Sequence, residues 1–233
     1  MKLTKVLLIL GIFVLSTIAQ EQNAKLPPSI QTSGESVITA KPDRAQIDTG
    51  VVTQSESSQT AATRNATQLE TVLAQLRRQL GANADIKTIS YSLTPNYRYP
   101  TGGGEPTITG YTATNIVRVT LDDLTQIGKA IDTATSTGAN RIQSLQFTLK
   151  DRQAAEARAL SDAAARARRK ADALASAFGL RIVRILSVSE SSPVVIPVRD
   201  VAYARAEATQ TPIEPGTVEV RATVSLIVEI APR

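Results

Sequence analysis

The spacing of apolar residues changes repeatedly along this chain of 233 residues, and these changes constrain its fold more than any other feature. Some segments place an apolar residue at every second position, which is typical of a half-buried strand. Others place one at every third or fourth position, which is typical of an amphipathic helix. In chain order the segments predict ββαββ followed by αβαββ. We therefore expect an α+β fold of two related α/β units, with antiparallel sheets covered by long amphipathic helices.

The bounds of the predicted elements follow from this periodicity and from the residues that end each element. Strands are predicted at residues 29–40, 45–53, 86–93, 111–121, 145–149, 181–189 and 218–230, and helices at residues 57–80, 124–137 and 151–178. Asp122 or Asp123 is expected to cap the second helix and Gly138 to end it. We predict a hairpin between the first two strands across the turn at residues 41–44, with the first strand at a sheet edge. The two units are expected to be subunits at residues 29–121 and 122–233.

The longest predicted helix carries a stripe of mostly small residues on one face. The stripe consists of Ala155, Ala159, Ala163, Ala167, Ala171, Leu174 and Phe178. Because small side chains let a helix lie close to its neighbour, we expect tight packing against a sheet or another helix. A basic cluster of Arg166, Arg168, Arg169 and Lys170 in this helix is flanked by acidic residues and is interpreted as a solvated helix face. An anionic lipid or glycan surface is the alternative interpretation.

The residue types that the chain lacks narrow its chemistry. It contains no cysteine, histidine or tryptophan, and aromatic residues make up 3% of it. The core must therefore be aliphatic and must hold without disulfides. Because the usual zinc ligands, the usual general base near neutral pH and the cysteine nucleophile are missing, we expect no metal, no cofactor and no catalytic residue. An enzyme would have to use a serine–lysine dyad or the neighbouring carboxylates Asp122 and Asp123.

The N-terminal segment indicates export. Lys2 and Lys5 precede an apolar run at residues 6–19, a pattern typical of a secretory signal peptide. We expect a signal peptide at residues 1–19, cleaved after Ala19, and a disordered lead-in at residues 20–28. An uncleaved N-terminal anchor is the alternative. The formal charge of +5 is mild and its cations are interleaved with acids, so we expect no nucleic-acid partner.

Two segments rich in proline and glycine interrupt the predicted strands. Residues 95–106 include three consecutive glycines, and we expect a long flexible loop there, which lacks the lysine and helix start of a phosphate loop. Residues 191–216 combine prolines with a group of apolar side chains. Such a segment either folds back over its own sheet or packs on a partner subunit, and the sequence leaves both alternatives open.

Short motifs are spread over almost the whole chain. Their positions are Pro42, Asp43, Gly50, Gly110, Tyr111, Asn115, Gly138, Ala139, Asn140, Pro212, Pro215 and Gly216. Glycine, asparagine and proline suit turns, caps and close packing, so we expect these positions to be structural. Together the motifs resemble the SIMPL domain family of exported bacterial proteins. The resemblance implies a protein of the periplasm or cell envelope, related to oxidative-stress-defence and immunogenic envelope proteins, that assembles; it supplies no catalytic residue.

Three functional hypotheses remain. The first, which we favour, is a non-catalytic envelope protein that self-associates as a homo-oligomer through its helices and residues 191–216, with peripheral envelope or membrane association as a further expectation. The second is a monomeric periplasmic binding module that holds a small hydrophobic or anionic ligand between sheet and helices. The third is an enzyme that uses serine or carboxylates.

Overall fold

The structure is a computed structural model, and it describes residues 27–81, 84–198, 211 and 213–233. The predicted signal peptide, its cleavage site and most of the lead-in lie outside the described residues. Pro212 and residues 199–210 of the proline-rich segment lie outside them as well. All seven strands and three α-helices predicted from the sequence have a counterpart in the described part of the chain.

The elements follow one another in the predicted order, and the predicted α+β fold is confirmed. They are β1 (Ser29–Ala40), β2 (Arg44–Ser55), α1 (Ser58–Leu80), β3 (Asp85–Arg98), β4 (Thr107–Leu121), α2 (Ile127–Ser136), β5 (Arg141–Thr148), α3 (Arg152–Ala177), β6 (Leu180–Val198) and β7 (Thr217–Pro232). A short 3-10 turn, Leu124–Gln126, leads into α2. Asp123, rather than Asp122, caps this turn, and Asp151 caps α3, each by accepting a hydrogen bond from a backbone N–H of the first turn.

The strands form two antiparallel sheets. The three-stranded sheet has the order β1-β7-β6, and the four-stranded sheet has the order β3-β4-β2-β5. β1 pairs with β7 along its whole length, from Ser29 opposite Glu229 to Ala40 opposite Val218. The predicted hairpin between β1 and β2 is therefore wrong, whereas the edge position predicted for β1 is confirmed.

The two neighbouring strands separate because their faces fit different helices. On β1 the small residues Thr32 and Gly34 contact α3, whereas on β2 the apolar residues Ala45 and Ile47 belong to the core beneath α1 and α2. The predicted division of the chain into residues 29–121 and 122–233 therefore does not coincide with the two sheets. β1 belongs with α3, β6 and β7, and the continuous stretch from β2 to β5 forms the other unit.

The contact between α3 and the three-stranded sheet is very close. The buried face of the helix is made of Ala159, Ala163, Ala167, Ala171 and Ala175. A Cβ added to Gly34 would lie 2.0 Å from the carbonyl oxygen of Ala163, so a larger residue has no room there. The hydroxyl of Thr32 donates to the carbonyl oxygen of Ala167 at 2.9 Å. The small side chains thus bring the backbones of β1 and α3 almost into contact.

The stripe predicted for α3 is correct in its alanines and wrong at its C-terminal end. Leu174 is 42% exposed and Phe178 is 74% exposed. The buried face continues at Ala175 instead, because the contact with the sheet follows every fourth residue along the whole helix.

The four-stranded sheet has its own aliphatic core beneath α1 and α2, as the composition predicts. This core includes Ile47, Val72, Leu76, Val117 and Ile127. The fully buried Asn65 of α1 lies within this layer, and its Nδ2 donates to the carbonyl oxygens of Val51 at 2.8 Å and Ala113 at 3.0 Å. This amide ties α1 to β2 and β4 at once.

Two strands extend into segments predicted as loops. β3 continues through Pro95, and β6 continues through Pro193 and Pro197. Proline is tolerated in these strands because both lie at sheet edges, where one side of the backbone needs no strand partner. Residues 191–198 therefore belong to a sheet and not to a loop.

The close contact at Gly34 predicts a large effect from one methyl group. Replacing Gly34→Ala should lower the free energy of unfolding by about 3 kcal/mol, because α3 must shift away from the sheet. Urea unfolding followed by circular dichroism measures this change. Gly102→Ala is the matched control, since nothing lies within 4 Å of a Cβ added there. Equal stability of the two variants would contradict the close packing.

Candidate functional site

Several of the family-motif residues meet where β5 begins beside β2. Asn140 replaces a strand residue here: its Nδ2 donates to the carbonyl oxygen of Val52, and the Val52 N–H donates to its Oδ1, both at 2.8 Å. The Asn140 N–H donates to the carbonyl oxygen of Gly50. These hydrogen bonds continue the pairing of β2 and β5 by one residue before Arg141, the first residue of β5.

The turn before Asn140 is held by hydrogen bonds to its backbone groups. Gly138 has a φ of +122°, a conformation that favours glycine. Its carbonyl oxygen accepts a hydrogen bond from Nε2 of Gln68 at 2.7 Å. The N–H of Ala139 donates to the carbonyl oxygen of Ala134 at 2.8 Å. This turn therefore joins α2, α1 and the start of β5.

The remaining glycines of the motifs mark close approaches of backbone. A Cβ on Gly50 would lie 2.0 Å from the carbonyl oxygen of Asn115, and one on Gly110 would lie 3.0 Å from that of Ser55. Tyr111 pairs with Ser55 in the β2–β4 register. These positions bring strands together.

The last motif positions lie in connections between elements. Pro42 is buried in the turn after β1, and Oδ1 of Asp43 accepts a hydrogen bond from the Lys150 N–H at 2.7 Å. Pro215 and Gly216 precede β7. Pro212 lies outside the described residues.

The neighbouring carboxylates Asp122 and Asp123 hold structure in different ways. Asp122 accepts hydrogen bonds from Arg44 and forms an ion pair with Lys150. These two cations, Arg44 first, hold the pKa of Asp122 far below its usual range. Hydrogen bonds from Thr125 lower the pKa of Asp123, which is the cap of the 3-10 turn. A general acid needs the opposite shift, so this pair does not have the electrostatics of an acid/base centre.

An ion pair with a buried carboxylate, which the sequence analysis missed, crosses three strands of the four-stranded sheet. Asp48 on β2 accepts hydrogen bonds from Arg118 on β4 at 2.7 and 2.8 Å and from Ser144 on β5 at 2.9 Å. The Asp48 side chain is 6% exposed and that of Arg118 is 35% exposed. The hydrogen bonds from Arg118 are the main cause of a lowered pKa of Asp48. A carboxylate at the centre of an apolar strand was the signal that could have identified this pair.

The basic cluster of α3 is distributed over several contacts. Arg166 donates to the carbonyl oxygen of Glu35, and Lys170 donates to that of Ser33, both on β1. Arg168 forms an ion pair with Asp172 one turn further along the helix. Three of the four cations of the cluster therefore have partners within the protein.

Within residues 27–81, 84–198, 211 and 213–233, no three histidine, cysteine or acidic side chains are grouped so as to hold a metal ion. In the same ranges, no helix combines the length and the apolar character needed to cross a bilayer.

One face of the hairpin formed by β3 and β4 carries several exposed apolar and aromatic side chains. β3 alternates between apolar and polar residues, and its side chains Tyr91, Leu93 and Tyr97 are 55%, 38% and 50% exposed. Tyr99, just beyond the end of the strand, is 72% exposed. Ile108 of β4 lies opposite Tyr97 and is 51% exposed. We call these five residues the hairpin stripe. Four of the five tyrosines of the chain lie in the region of this hairpin.

The hairpin stripe is exposed because α1 covers β2 and β4 but barely reaches β3. An alternating strand is typical of a structure that buries one face. In the described part of the chain, nothing buries the stripe of β3. The stripe is therefore the strongest candidate for an interaction surface.

The ion pair of Asp48 predicts a defined loss of stability. Asp48→Asn should lower the free energy of unfolding by about 2 kcal/mol at neutral pH, less than for a fully buried pair because Arg118 remains partly in water. The pKa of Asp48 is lowered by folding, so its contribution is present above the ordinary carboxylate pKa and is lost as the pH falls through the folded-state value. Urea unfolding between pH 3 and pH 7 should show a shallower acid dependence for Asp48→Asn than for the unchanged protein. Identical curves would contradict the assignment.

The chain was compared with known proteins. The family model of SIMPL, described as a protein of unknown function (DUF541), matches residues 30–228. The chain is 30% identical over 234 residues to the 26 kDa periplasmic immunogenic protein of Brucella melitensis biotype 1, and the alignment covers 96% of this chain and 94% of that protein. It is 27% identical over 186 residues to the uncharacterized protein YggE of Escherichia coli K12, which covers 79% of this chain and 74% of that protein. The uncharacterized protein YggE of Edwardsiella ictaluri is also 27% identical, over 190 residues, which covers 81% of this chain and 79% of that protein.

The family match begins in β1 and ends in β7, the two strands that pair with each other. It therefore includes both sheets and the three α-helices. The resemblance inferred from the short motifs is confirmed: the chain belongs to the SIMPL family.

Proposed function

We propose that this chain is a non-catalytic protein of the periplasm or cell envelope that associates with copies of itself through the hairpin stripe. The observation that carries the proposal is the character of β3 as an edge strand. From Thr88 to Tyr97 this strand contains no charged residue. Proteins usually protect a long edge strand with charges or strong bulges against pairing with another chain. β3 has register irregularities near Ile89 and Asn96 and a proline at Pro95. Between them, from Ser90 to Thr94, the edge has none of these devices, and Tyr91 and Leu93 are exposed there.

The association would be a pairing of two β3 strands from two copies. The order of the four-stranded sheet places β3 at its edge, with β4 on one side. An antiparallel pairing of β3 with β3 is self-complementary, because each copy offers the same backbone edge and the same tyrosines. Two stripes would then form one larger apolar surface, and tyrosine is among the residues enriched at such interfaces.

The proposed location has support from the N-terminal sequence and from the relatives. The apolar run behind Lys2 and Lys5 has the pattern of a signal peptide cleaved after Ala19. A relative that aligns with 96% of the chain is named a periplasmic protein. The chain from Gln20 onward is accordingly the form to study.

The proposed lack of catalysis has support from the composition and from the acids. The chain has no histidine or cysteine, and Asp48, Asp122 and Asp123 all have lowered pKa values. A role in oxidative-stress defence, which the family resemblance implies, would have to rest on assembly or binding, since Met1 is the only methionine.

The proposal predicts that the chain from Gln20 is oligomeric and that the hairpin stripe maintains the oligomer. Size-exclusion chromatography with light scattering at several concentrations measures the mass. We expect the double variant Tyr91→Lys/Leu93→Lys to be monomeric, because the two cations repel their counterparts across the paired edge.

Phe178→Lys is the matched control for this experiment. It places the same charge on another exposed aromatic residue, at the end of α3, and should leave the mass unchanged. Circular dichroism should show that all variants fold. An oligomer that survives the double variant would exclude the hairpin stripe as the interface. An unchanged protein that is monomeric at every concentration would refute self-association and favour the monomeric binding module.

A further inference from the structure

A groove lies where the two sheets approach each other. It has a volume of about 780 Å³ and is lined by residues 143–149 along β5, with Val195 and Pro197 of β6 on the opposite wall. Arg44, Gln46, Lys150 and Arg152 complete the lining. The groove is separate from the hairpin stripe, which belongs to the opposite edge of the four-stranded sheet.

Both strands that border the groove are edge strands. β5 pairs with β2 on one side, and β6 pairs with β7 on one side. In the described part of the chain, the second side of each strand has no strand partner. The groove therefore offers the free backbone groups of an edge strand, which are a template for the addition of another strand.

The shape of the groove fits an extended polypeptide. Residues 143–148 of β5 follow one another along the groove, and six residues in extended conformation span about 20 Å. Pro197 has no backbone N–H, which prevents β6 from closing this part of the groove by regular pairing with β5. β5 and β6 come close to each other at a few positions without pairing, so an added strand would have β5 alone as its partner.

The side chains of the lining define the chemistry of such a strand. β5 alternates between Leu145 and Phe147, which pack against the core, and the polar residues Ser144 and Gln146. A strand added to β5 would continue this pattern, with apolar side chains beside Val195. An occupant that alternates between apolar and polar residues is therefore the best match.

The charged residues that line the groove are all cationic. They are Arg44, Lys150 and Arg152. Arg44 and Lys150 share the carboxylate of Asp122, and Arg152 pairs with Glu156. Each of these cations has more N–H donors than its present partners use, since a guanidinium has five and an ammonium has three. They can therefore also bind a carboxylate in the groove.

We propose that this groove binds an extended acidic peptide segment of another polypeptide, which adds as a strand to the free edge of β5. The alternating apolar side chains of the segment contact the Val195 wall, and its carboxylates meet the cations at the end of β5. This inference does not depend on the proposed self-association.

Peptide binding to the chain from Gln20 tests the proposal by fluorescence anisotropy. The probe is a labelled peptide GVEVEVEG, and its counterpart is GVKVKVKG. We expect the acidic peptide to bind at least about tenfold more tightly at low salt, because only its charges complement the lining. No binding of the acidic peptide at concentrations up to about 1 mM would overturn the proposal.

Backbone methylation distinguishes strand addition from binding by side chains alone. Two further acidic peptides carry N-methyl groups on alternate residues, one set on each edge of the extended chain. Because β5 pairs with only one edge, one set should abolish binding and the other should not. Equal affinity of both sets would overturn the proposed strand addition.

Paired substitutions on β6 locate the site. Val195→Glu places a carboxylate in the groove, leaves Pro197 in place and should weaken binding of the acidic peptide at least about tenfold. Ile196→Glu is the matched control, since Ile196 is exposed and does not line the groove. Equal effects of the two substitutions would overturn the site.

Light scattering separates this groove from an interface between copies. Saturation with the acidic peptide should leave the mass of the protein complex unchanged apart from the bound peptide, and the variant Tyr91→Lys/Leu93→Lys should bind the peptide as the unchanged protein does. A fall in mass on peptide binding would identify a second copy as the occupant and overturn the proposal for a foreign peptide.

Discussion

The antiparallel ladder between β1 and β7 joins the two ends of the domain, and the position of every other element depends on it. It runs from Ser29 opposite Glu229 to Ala40 opposite Val218. Because the first and last strands lie side by side, the continuous unit from β2 to β5 is inserted between them. The hydrogen bond from the Lys150 N–H to Asp43 joins the two points where the chain enters and leaves this inserted unit. This hydrogen bond holds the β1–β2 connection next to the β5–α3 connection.

The exposed edges of the molecule result from where the helices lie. α3 packs over β1 and β7, and less over β6, because the small residues of β1 and the alanines of the helix allow a very short distance between their backbones. In the other unit, α1 lies over β2 and β4, to which Asn65 binds it. Each sheet consequently has an edge strand with incompletely covered side chains, β6 in one and β3 in the other. The surfaces proposed for recognition lie at such sheet edges.

The charged groups contribute to structure more clearly than to reactivity. Asp122 joins Arg44 and Lys150, and Asp48 joins three strands through Arg118 and Ser144. In both cases cationic partners stabilise the ionised carboxylate, which lowers its pKa. A protein with this arrangement can act through its surfaces and its strand edges without a tuned acid or base.

The sequence alone was sufficient for the order of the elements and most of their bounds. Local periodicity and the alanine face of α3 follow from interactions within a few residues, and the family motifs indicated the correct family. The cap of the second helix was narrowed to Asp122 or Asp123, and the structure has Asp123. The aliphatic character of the core also followed from composition alone. The hairpin predicted for β1 and β2 failed because strand pairing depends on which distant faces fit together, and Gly34 can reveal its partner Ala163 only in the folded chain. Tertiary structure also decided three further features: the ion pair of Asp48 and Arg118, the uncovered tyrosines of β3 and the groove beside β5. Each of them depends on the distance between segments far apart in the chain, which periodicity does not encode.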